Sequence, residues 1–331
     1  MSGIEEHMSL PERASILVAL FSALMAVIAI VVLERQRSGL AVDRVWIDRT
    51  PVTVWRPDGS GPAPLVVIAH GYGGSRQMMT PIAVSLARAG FAVATFDFHG
   101  HGRHPVAMSG DVTSLEGTTA DLVRQTNMVV DRLRGPTHIA GPLALVGHSM
   151  ATDIIVRAAM TRDDVAALVA ISMYSEAVTS TEPETLLIIS GAFEDRLRMV
   201  ARDAVRMVEP TAQESETAEA GTVRRRAVAA PGVGHVGVLY SATTLTETRD
   251  WIAGAVGQSP DEPTDGSSSR AGLWIAGLLL ACLALAWPLA CLLGPPGAVR
   301  RPADRAAWIA VAAPILPTLA AVLVVPPGVF G

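Results

Sequence analysis

The sequence predicts an α/β fold, a mostly parallel sheet covered by helices on both faces, joined to about three membrane-spanning helices. Two observations carry this. Residues 40 to 257 alternate short apolar runs with amphipathic stretches, as strands and helices do when they wind around a parallel sheet. Outside that region lie long runs without a single charge, and the whole chain is 50% hydrophobic and only 17% charged. A soluble chain carries about 25% charged residues.

The tail 1–13 precedes the first apolar run, Ala14 to Leu33, which has the roughly 20 residues a helix needs to cross a bilayer. It is longer than the apolar core of a signal peptide and ends in Glu34-Arg35-Gln36-Arg37 instead of a small-residue cleavage site, so an uncleaved anchor is expected. A polar linker over 258–270, rich in Pro, Gly and Ser, separates the central domain from a second run at 271–293. A third run, 308–325, contains Pro314 and Pro317, which membrane helices tolerate. The expected location is therefore a bacterial cell membrane, crossed several times. Arg300, Arg301 and Arg305 draw their short loop to the cytoplasm and put the central domain outside, while Arg35 and Arg37 pull the other way. The short loop is the stronger witness, which favours an extracytoplasmic domain.

Composition excludes several chemistries. All 26 basic residues are arginine, so a lysine Schiff base, a P-loop lysine and a Ser-Lys dyad are impossible. A net charge of -5 gives no sign of nucleic-acid binding. The only cysteines, Cys282 and Cys291, share one apolar run and can build neither a disulfide framework nor a thiolate zinc site.

Within the central domain, Val45 to Trp55 reads as a hairpin around Asp48-Arg49-Thr50-Pro51. Strands are expected at Leu65–Ala69, Phe91–Phe96, Leu143–Val146, Val165–Ile171, Thr185–Ile189 and Arg225–Ala229. Helices are expected at Gln77–Ala89, Thr118–Leu133, Ala151–Met160, Arg198–Val208 and Thr243–Val256. The acidic stretch TAQESETAEAGT reads as a solvated loop or helix end.

Chemistry concentrates where strands end. Leu143 to Ala151 is a strand, then Gly147-His148-Ser149-Met150-Ala151, then a helix. A serine on such a turn is pushed clear of the sheet with its hydroxyl exposed to attack a carbonyl. The glycines of His70-Gly71-Tyr72-Gly73-Gly74 free backbone amides to face a developing oxyanion, and the N–H groups of Tyr72 and Met150 are the candidate donors. His235 is the only histidine after Ser149 and so the only candidate base for a serine–histidine mechanism. Glu194-Asp195 follows the intervening strand; Asp195 is the favoured orienting acid and Glu194 the reserve.

These pieces resemble the α/β-hydrolase superfamily, and most closely its serine-aminopeptidase-like and monoacylglycerol-lipase-like branch. The matching segments are HGYGG at 70–74, TFDFHGHGRHP at 95–105, VGHSMA at 146–151, SGAFED at 190–195 and PGVGH at 231–235, in the order the family has them. The resemblance implies an α/β-hydrolase fold over 40–257, with Ser149 as nucleophile, His235 as base, Asp195 as acid and Tyr72 and Met150 as backbone donors. It also implies that His101 packs beneath the nucleophile, and that Met173 to Glu184 supplies a small lid over an open mouth. Two positions depart from the family pattern: Ala151 replaces a glycine, and His99 stands where an arginine is usual.

The expected activity is hydrolysis of a carboxylic ester, small or lipid-like, beside the bilayer, with no metal or organic cofactor, no nucleic acid and no protein partner legible. A peptidase or amidase of the same fold is the alternative, as is a degenerate hydrolase fold used for binding. His99, His101 and His104 form an H-x-H-x-x-H pattern that neighbouring zinc ligands also use, but Arg103 stands where a metallohydrolase would carry an aspartate.

Overall fold

The structure, a computed structural model, describes residues 10–59, 61–111, 114–134, 139–258 and 270–293. These form two units, the central residues from Gln36 to Ala271 and the apolar helices on either side of them in the chain.

Helix α1 spans Leu10–Arg35 and α7 spans Ala271–Leu293. Both are long and apolar enough to cross a membrane, which needs about 20 residues at 1.5 Å rise. Neither has a polar stripe that would seat it in a protein core: Leu17, Leu20, Phe21 and Leu24 are exposed along α1, as are Leu279, Leu280 and Leu283 along α7. The expected third span, 308–325, its arginine-bearing loop and most of the 258–270 linker lie outside the described residues.

In the central unit the strands are β1 (Leu40–Ile47), β2 (Thr50–Pro57), β3 (Ala63–Ala69), β4 (Ala92–Phe96), β5 (Ile139–His148), β6 (Val165–Ile171), β7 (Thr185–Gly191), β8 (Thr217–Ala220) and β9 (Val223–Ala230). They form one sheet in the order β1-β2-β4-β3-β5-β6-β7-β9-β8. From β4 through β9 the neighbours are parallel, and the two edge hairpins, β1–β2 and β8–β9, are antiparallel. The chain enters at the β1–β2 edge, steps over to β3, returns to place β4 beside β2, and then runs from β5 through β6 and β7 to β9, so the carboxyl ends of β3, β5, β6, β7 and β9 open on one edge, where such folds place their sites.

The sequence explains the layers. Leu65, Val67, Leu143, Leu145 and Ile188 point to one face with α3 (Ala120–Leu133) and α4 (Ala151–Ala159); Val66, Ile68, Val146, Leu187 and Ile189 point to the other with α2 (Thr80–Arg88) and α6 (Ala242–Ala255). Successive residues of one strand thus feed opposite cores, which is why the central strands read as unbroken apolar runs. The remaining helix, α5 (Asp195–Arg206), follows β7. One expectation is corrected: TAQESETAEAGT is not simply loop, because Thr217–Ala220 within it forms β8. Only Ala218 of that strand is buried, so its apolar signal is a single residue.

A buried cation pins the segment expected to act as a lid. Arg225 of β9 is fully buried, and its guanidinium donates to the carbonyls of Thr179, Glu182 (3.0 Å) and, on α5, Ala204 (3.0 Å). Among the described residues no carboxylate partners it, and burial lowers its pKa. The 173–184 segment is also tied at Tyr174, whose N–H donates to Thr152 Oγ1 (3.0 Å), and at Ser175, bonded to Asp153 (2.8 Å). It is a strap, hydrogen-bonded from beneath. Replacing Arg225 with Leu leaves those carbonyls unpaired, and a loss of about 2–4 kcal/mol is expected in chemical denaturation of the full chain in detergent. An unchanged midpoint would show that water replaces the guanidinium at no cost.

Candidate active site

The site begins with two glycines that allow close approach. A Cβ on Gly147 would meet the Ala151 carbonyl oxygen at 2.7 Å, so strand β5 turns into α4 with almost no separation. Within that turn Ser149 has φ +52°, a left-handed backbone that costs a non-glycine residue about 1–2 kcal/mol. Its N–H donates to the Ile171 carbonyl at the end of β6 (2.9 Å), which holds the turn against the sheet. Ala151, one of the two departures from the family pattern, is fully buried without displacing this turn; the tight point is Gly147.

The serine hydroxyl meets His235. Ser149 Oγ lies 2.9 Å from His235 Nε2, and His235 Nδ1 lies 2.6 Å from Glu194 Oε1. The carboxylate at His235 is therefore Glu194, and the expectation favouring Asp195 is corrected. Strand β7 ends at Gly191, and the turn closed by the Glu194 N–H on the Gly191 carbonyl (3.0 Å) folds Glu194 back over the strand end. Asp195 is the next residue, the first of α5, and its exposed side chain faces Arg198 one turn on at 3.8 Å. That is a common arrangement for an acid in the first turn of a helix.

Glu194 is held by more than the histidine. Its Oε2 accepts from the Gly191 N–H (2.5 Å) and from the hydroxyl of Ser172 (2.7 Å). Burial pushes its carboxyl up, and the hydrogen bonds from His235, Gly191 and Ser172 outweigh this and hold it below its ordinary 4.5. Ser172 follows β6 directly, with φ +54°, and its N–H donates to the Ile189 carbonyl of β7 (2.6 Å). Ser172 belongs to none of the motifs legible in the sequence. Its position immediately after a buried strand on the functional edge was the available signal.

Two buried histidines brace the loops. His148 donates from Nε2 to the His235 carbonyl (2.8 Å), fixing the loop that carries the base, and burial brings its pKa down to about 4. His70 donates from Nδ1 to the Gly71 carbonyl (2.8 Å) and accepts the Phe98 N–H at Nε2 (3.1 Å), again with burial lowering it to about 4. Both are neutral structural groups at pH 7. A Cβ on Gly71 would meet Ser149 Cβ at 2.9 Å, so the 70–74 loop lies directly against the serine. The N–H groups of Tyr72 and Met150 donate to no other group among the described residues.

His101, which the resemblance implied would pack beneath the nucleophile, lies against the 70–74 loop. Its ring packs on His70 (5.2 Å between centroids) and edge-on to Tyr72 (5.5 Å), and its Nδ1 donates to the His99 carbonyl (2.8 Å). At the other departure from the family pattern, the His99 N–H donates to Gln125 Oε1 (3.1 Å) and its ring meets that of His104 edge-on. His104 uses Nδ1 to accept the Val106 N–H and faces Thr50 through Nε2. The three histidines thus serve loop and ring contacts, and among the described residues no three His, Cys, Asp or Glu side chains are grouped as metal ligands.

Such a strand-ended constellation on this sheet order defines an α/β-hydrolase. The profile of the serine aminopeptidase S33 family matches residues 60–227, just over half of the chain, and the chain belongs to that family. A CIB-like hydrolase from Thermoplasma acidophilum superposes with a TM-score of 0.50 at 14% identity, over 65% of this chain and 100% of that one. Est1E from Butyrivibrio proteoclasticus, solved with ferulic acid, gives 0.49 at 14% identity over 65% of this chain and 100% of its own. An esterase from Pyrobaculum calidifontis gives 0.47 at 15% identity, covering 77% and 95%. No curated protein matches the sequence.

The Glu194 hydrogen bonds have a pH consequence. A group whose folded pKa lies below its unfolded value stabilises the fold above the unfolded value and ceases to as pH falls through the folded one. Glu194→Gln should therefore lower the melting temperature at pH 7, with the deficit shrinking as the pH falls below the ordinary carboxyl value of 4.5. Calorimetric scans across pH check this; a deficit of constant size would show that the carboxylate charge is not what its donors stabilise.

Proposed function

We propose that the protein is a membrane-anchored serine hydrolase that cleaves a carboxylic ester through an acyl-enzyme on Ser149. The reading rests on the unbroken hydrogen-bond line from the Ser149 hydroxyl through His235 to Glu194. In the reaction Ser149 Oγ attacks the ester carbonyl carbon while His235 Nε2 takes its proton. The carbonyl oxygen becomes an oxyanion between the Tyr72 and Met150 N–H groups. The C–O bond breaks, the imidazolium gives its proton to the departing alcohol, and water, deprotonated by the same imidazole, then releases the acid. Glu194 keeps the proton of His235 on Nδ1 and stabilises the imidazolium; the three donors on its carboxylate keep it ionised.

An apolar acyl group suits the surroundings. Tyr72, Tyr174, Phe193 and Val236 are all more than half exposed, and each sits beside a loop or residue of the site in the chain. Large exposed apolar side chains gathered at a polar site suggest an apolar substrate. The helices α1 and α7 would tether the protein to a bilayer.

Labelling with a fluorophosphonate and mapping the modified peptide is the direct test. The label is expected on Ser149; a folded protein without label would leave the fold with a binding role. Ser149→Ala should reduce hydrolysis of a p-nitrophenyl ester by at least about 10³-fold, Glu194→Gln by a comparable factor, and Asp195→Asn by less than twofold. A larger loss for Asp195→Asn would overturn the assignment of the acid. Between p-nitrophenyl acetate and hexanoate, kcat/KM should rise by about tenfold or more, since each buried methylene contributes about 0.8 kcal/mol. A preference for acetate would remove the apolar acyl site.

A further inference from the structure

The nucleophile turn is held by a side chain outside the line from Ser149 to Glu194. Thr152, in the first turn of α4, is fully buried. Its hydroxyl donates to the Ser149 carbonyl (2.7 Å), and its own N–H donates to the same oxygen (2.9 Å). The hydroxyl oxygen in turn accepts the Tyr174 N–H (3.0 Å). The Tyr174 carbonyl lies 3.1 Å from it as well, but a hydroxyl has one proton, and the shorter contact is to Ser149.

A helix hydroxyl bonded back to the carbonyl three residues earlier is common and by itself carries no function. What sets this one apart is the peptide it holds. The carbonyl of Ser149 and the N–H of Met150 belong to one peptide group, planar and trans, so the two point in opposite directions. Fixing the carbonyl fixes the plane, and the plane aims the Met150 N–H. That N–H is one of the two donors assigned to the oxyanion, and such a donor is effective when it is preorganised where charge develops. Hydrogen bonds accepted by a carbonyl also polarise its peptide and strengthen the N–H as a donor. The preceding peptide is anchored separately, by the Ser149 N–H on the Ile171 carbonyl (2.9 Å), so the left-handed residue is held on both sides.

We propose that Thr152 is a positioning residue for the oxyanion hole: its hydroxyl sets the plane of the Ser149–Met150 peptide and thereby aims the Met150 N–H. It acts through that peptide and not on the substrate. The inference rests on the acyl-enzyme reading of Ser149 and adds to it the group that keeps the hole in register. The strap after β6 takes part, because the Tyr174 N–H occupies the far side of the hydroxyl oxygen and leaves its proton directed at Ser149.

Steady-state hydrolysis of a p-nitrophenyl ester by the full chain in a non-ionic detergent tests this with three variants. Thr152→Val keeps the branched shape and removes the hydroxyl. Its kcat and kcat/KM should fall together by about tenfold to a hundredfold, with KM within about twofold, the pattern of an interaction made only in the transition state. Inhibition by an alkyl trifluoromethyl ketone, whose serine adduct carries the oxyanion, should weaken by a similar factor. Thr152→Ser restores the hydroxyl and should return kcat to within about threefold of wild type. Thr152→Cys, with a much weaker donor of similar size, should fall between them, and it carries the comparison if thermal unfolding shows that the valine chain does not fold. A folded valine or cysteine variant with wild-type kcat overturns the proposal, as does a loss confined to KM or a serine variant as slow as valine. A wild-type chain that hydrolyses no ester and takes no fluorophosphonate overturns the acyl-enzyme reading itself, and this inference with it.

Discussion

The left-handed backbone at Ser149 is the constraint on which the rest of the site depends. A serine there is unfavourable by itself and persists because the surrounding structure over-determines it. Gly147 lets α4 start almost on top of the strand, Gly71 lets the neighbouring loop close over the serine Cβ, and the Ile171 carbonyl holds its N–H. The same device recurs one strand along. Ser172 also has a positive φ and passes its N–H to the Ile189 carbonyl of β7, so the ladder from β5 to β6 to β7 continues one residue beyond each strand. Each extension turns a side chain out of the sheet: Ser149 toward His235, and Ser172 toward the carboxylate that orients it.

A buried carboxylate has to be satisfied on both oxygens, and Glu194 is. This explains why glutamate serves at a position just after the strand. The turn from Gly191 brings the backbone of residue 194 back over the strand end, and the extra methylene reaches Gly191, Ser172 and His235 together. Asp195, one residue later, already belongs to the helix and faces solvent.

The fold was legible because its signals are local and redundant. Unbroken apolar runs such as Leu65–Ala69 and Val165–Ile171 can only be strands buried on both faces, and the glycine–serine turn between strand and helix marks the functional edge. Ser149 and His235 were legible for the same reason. The choice between Glu194 and Asp195 was not, because it turns on a one-residue question, where the strand ends and the helix begins. Adjacent residues on a tight turn point in different directions, and sequence fixes such boundaries poorly. The one local hint was Asp195-x-x-Arg198, the spacing of a first-turn pair. Strand β8 escaped for a different reason: an edge strand with one buried side chain has no periodicity to detect.

Asp97 shows how one buried charge can organise two surfaces. The loop after β4 must fold around its carboxylate, and Gly102 is obligatory there, since a Cβ would lie 2.4–2.5 Å from the carboxylate atoms and the backbone has φ +55°. One wall of the folded loop presents His101 to the Tyr72 ring on the serine side. The other presents Arg103 to an arginine-lined cavity, with Arg76 drawn in as the counter-charge. Asp97 is thus satisfied by the Arg76 guanidinium and by two backbone N–H groups, those of Arg76 and Arg103. A carboxylate placed to close a loop against the active site therefore also anchors an arginine and two backbone amides on its far side.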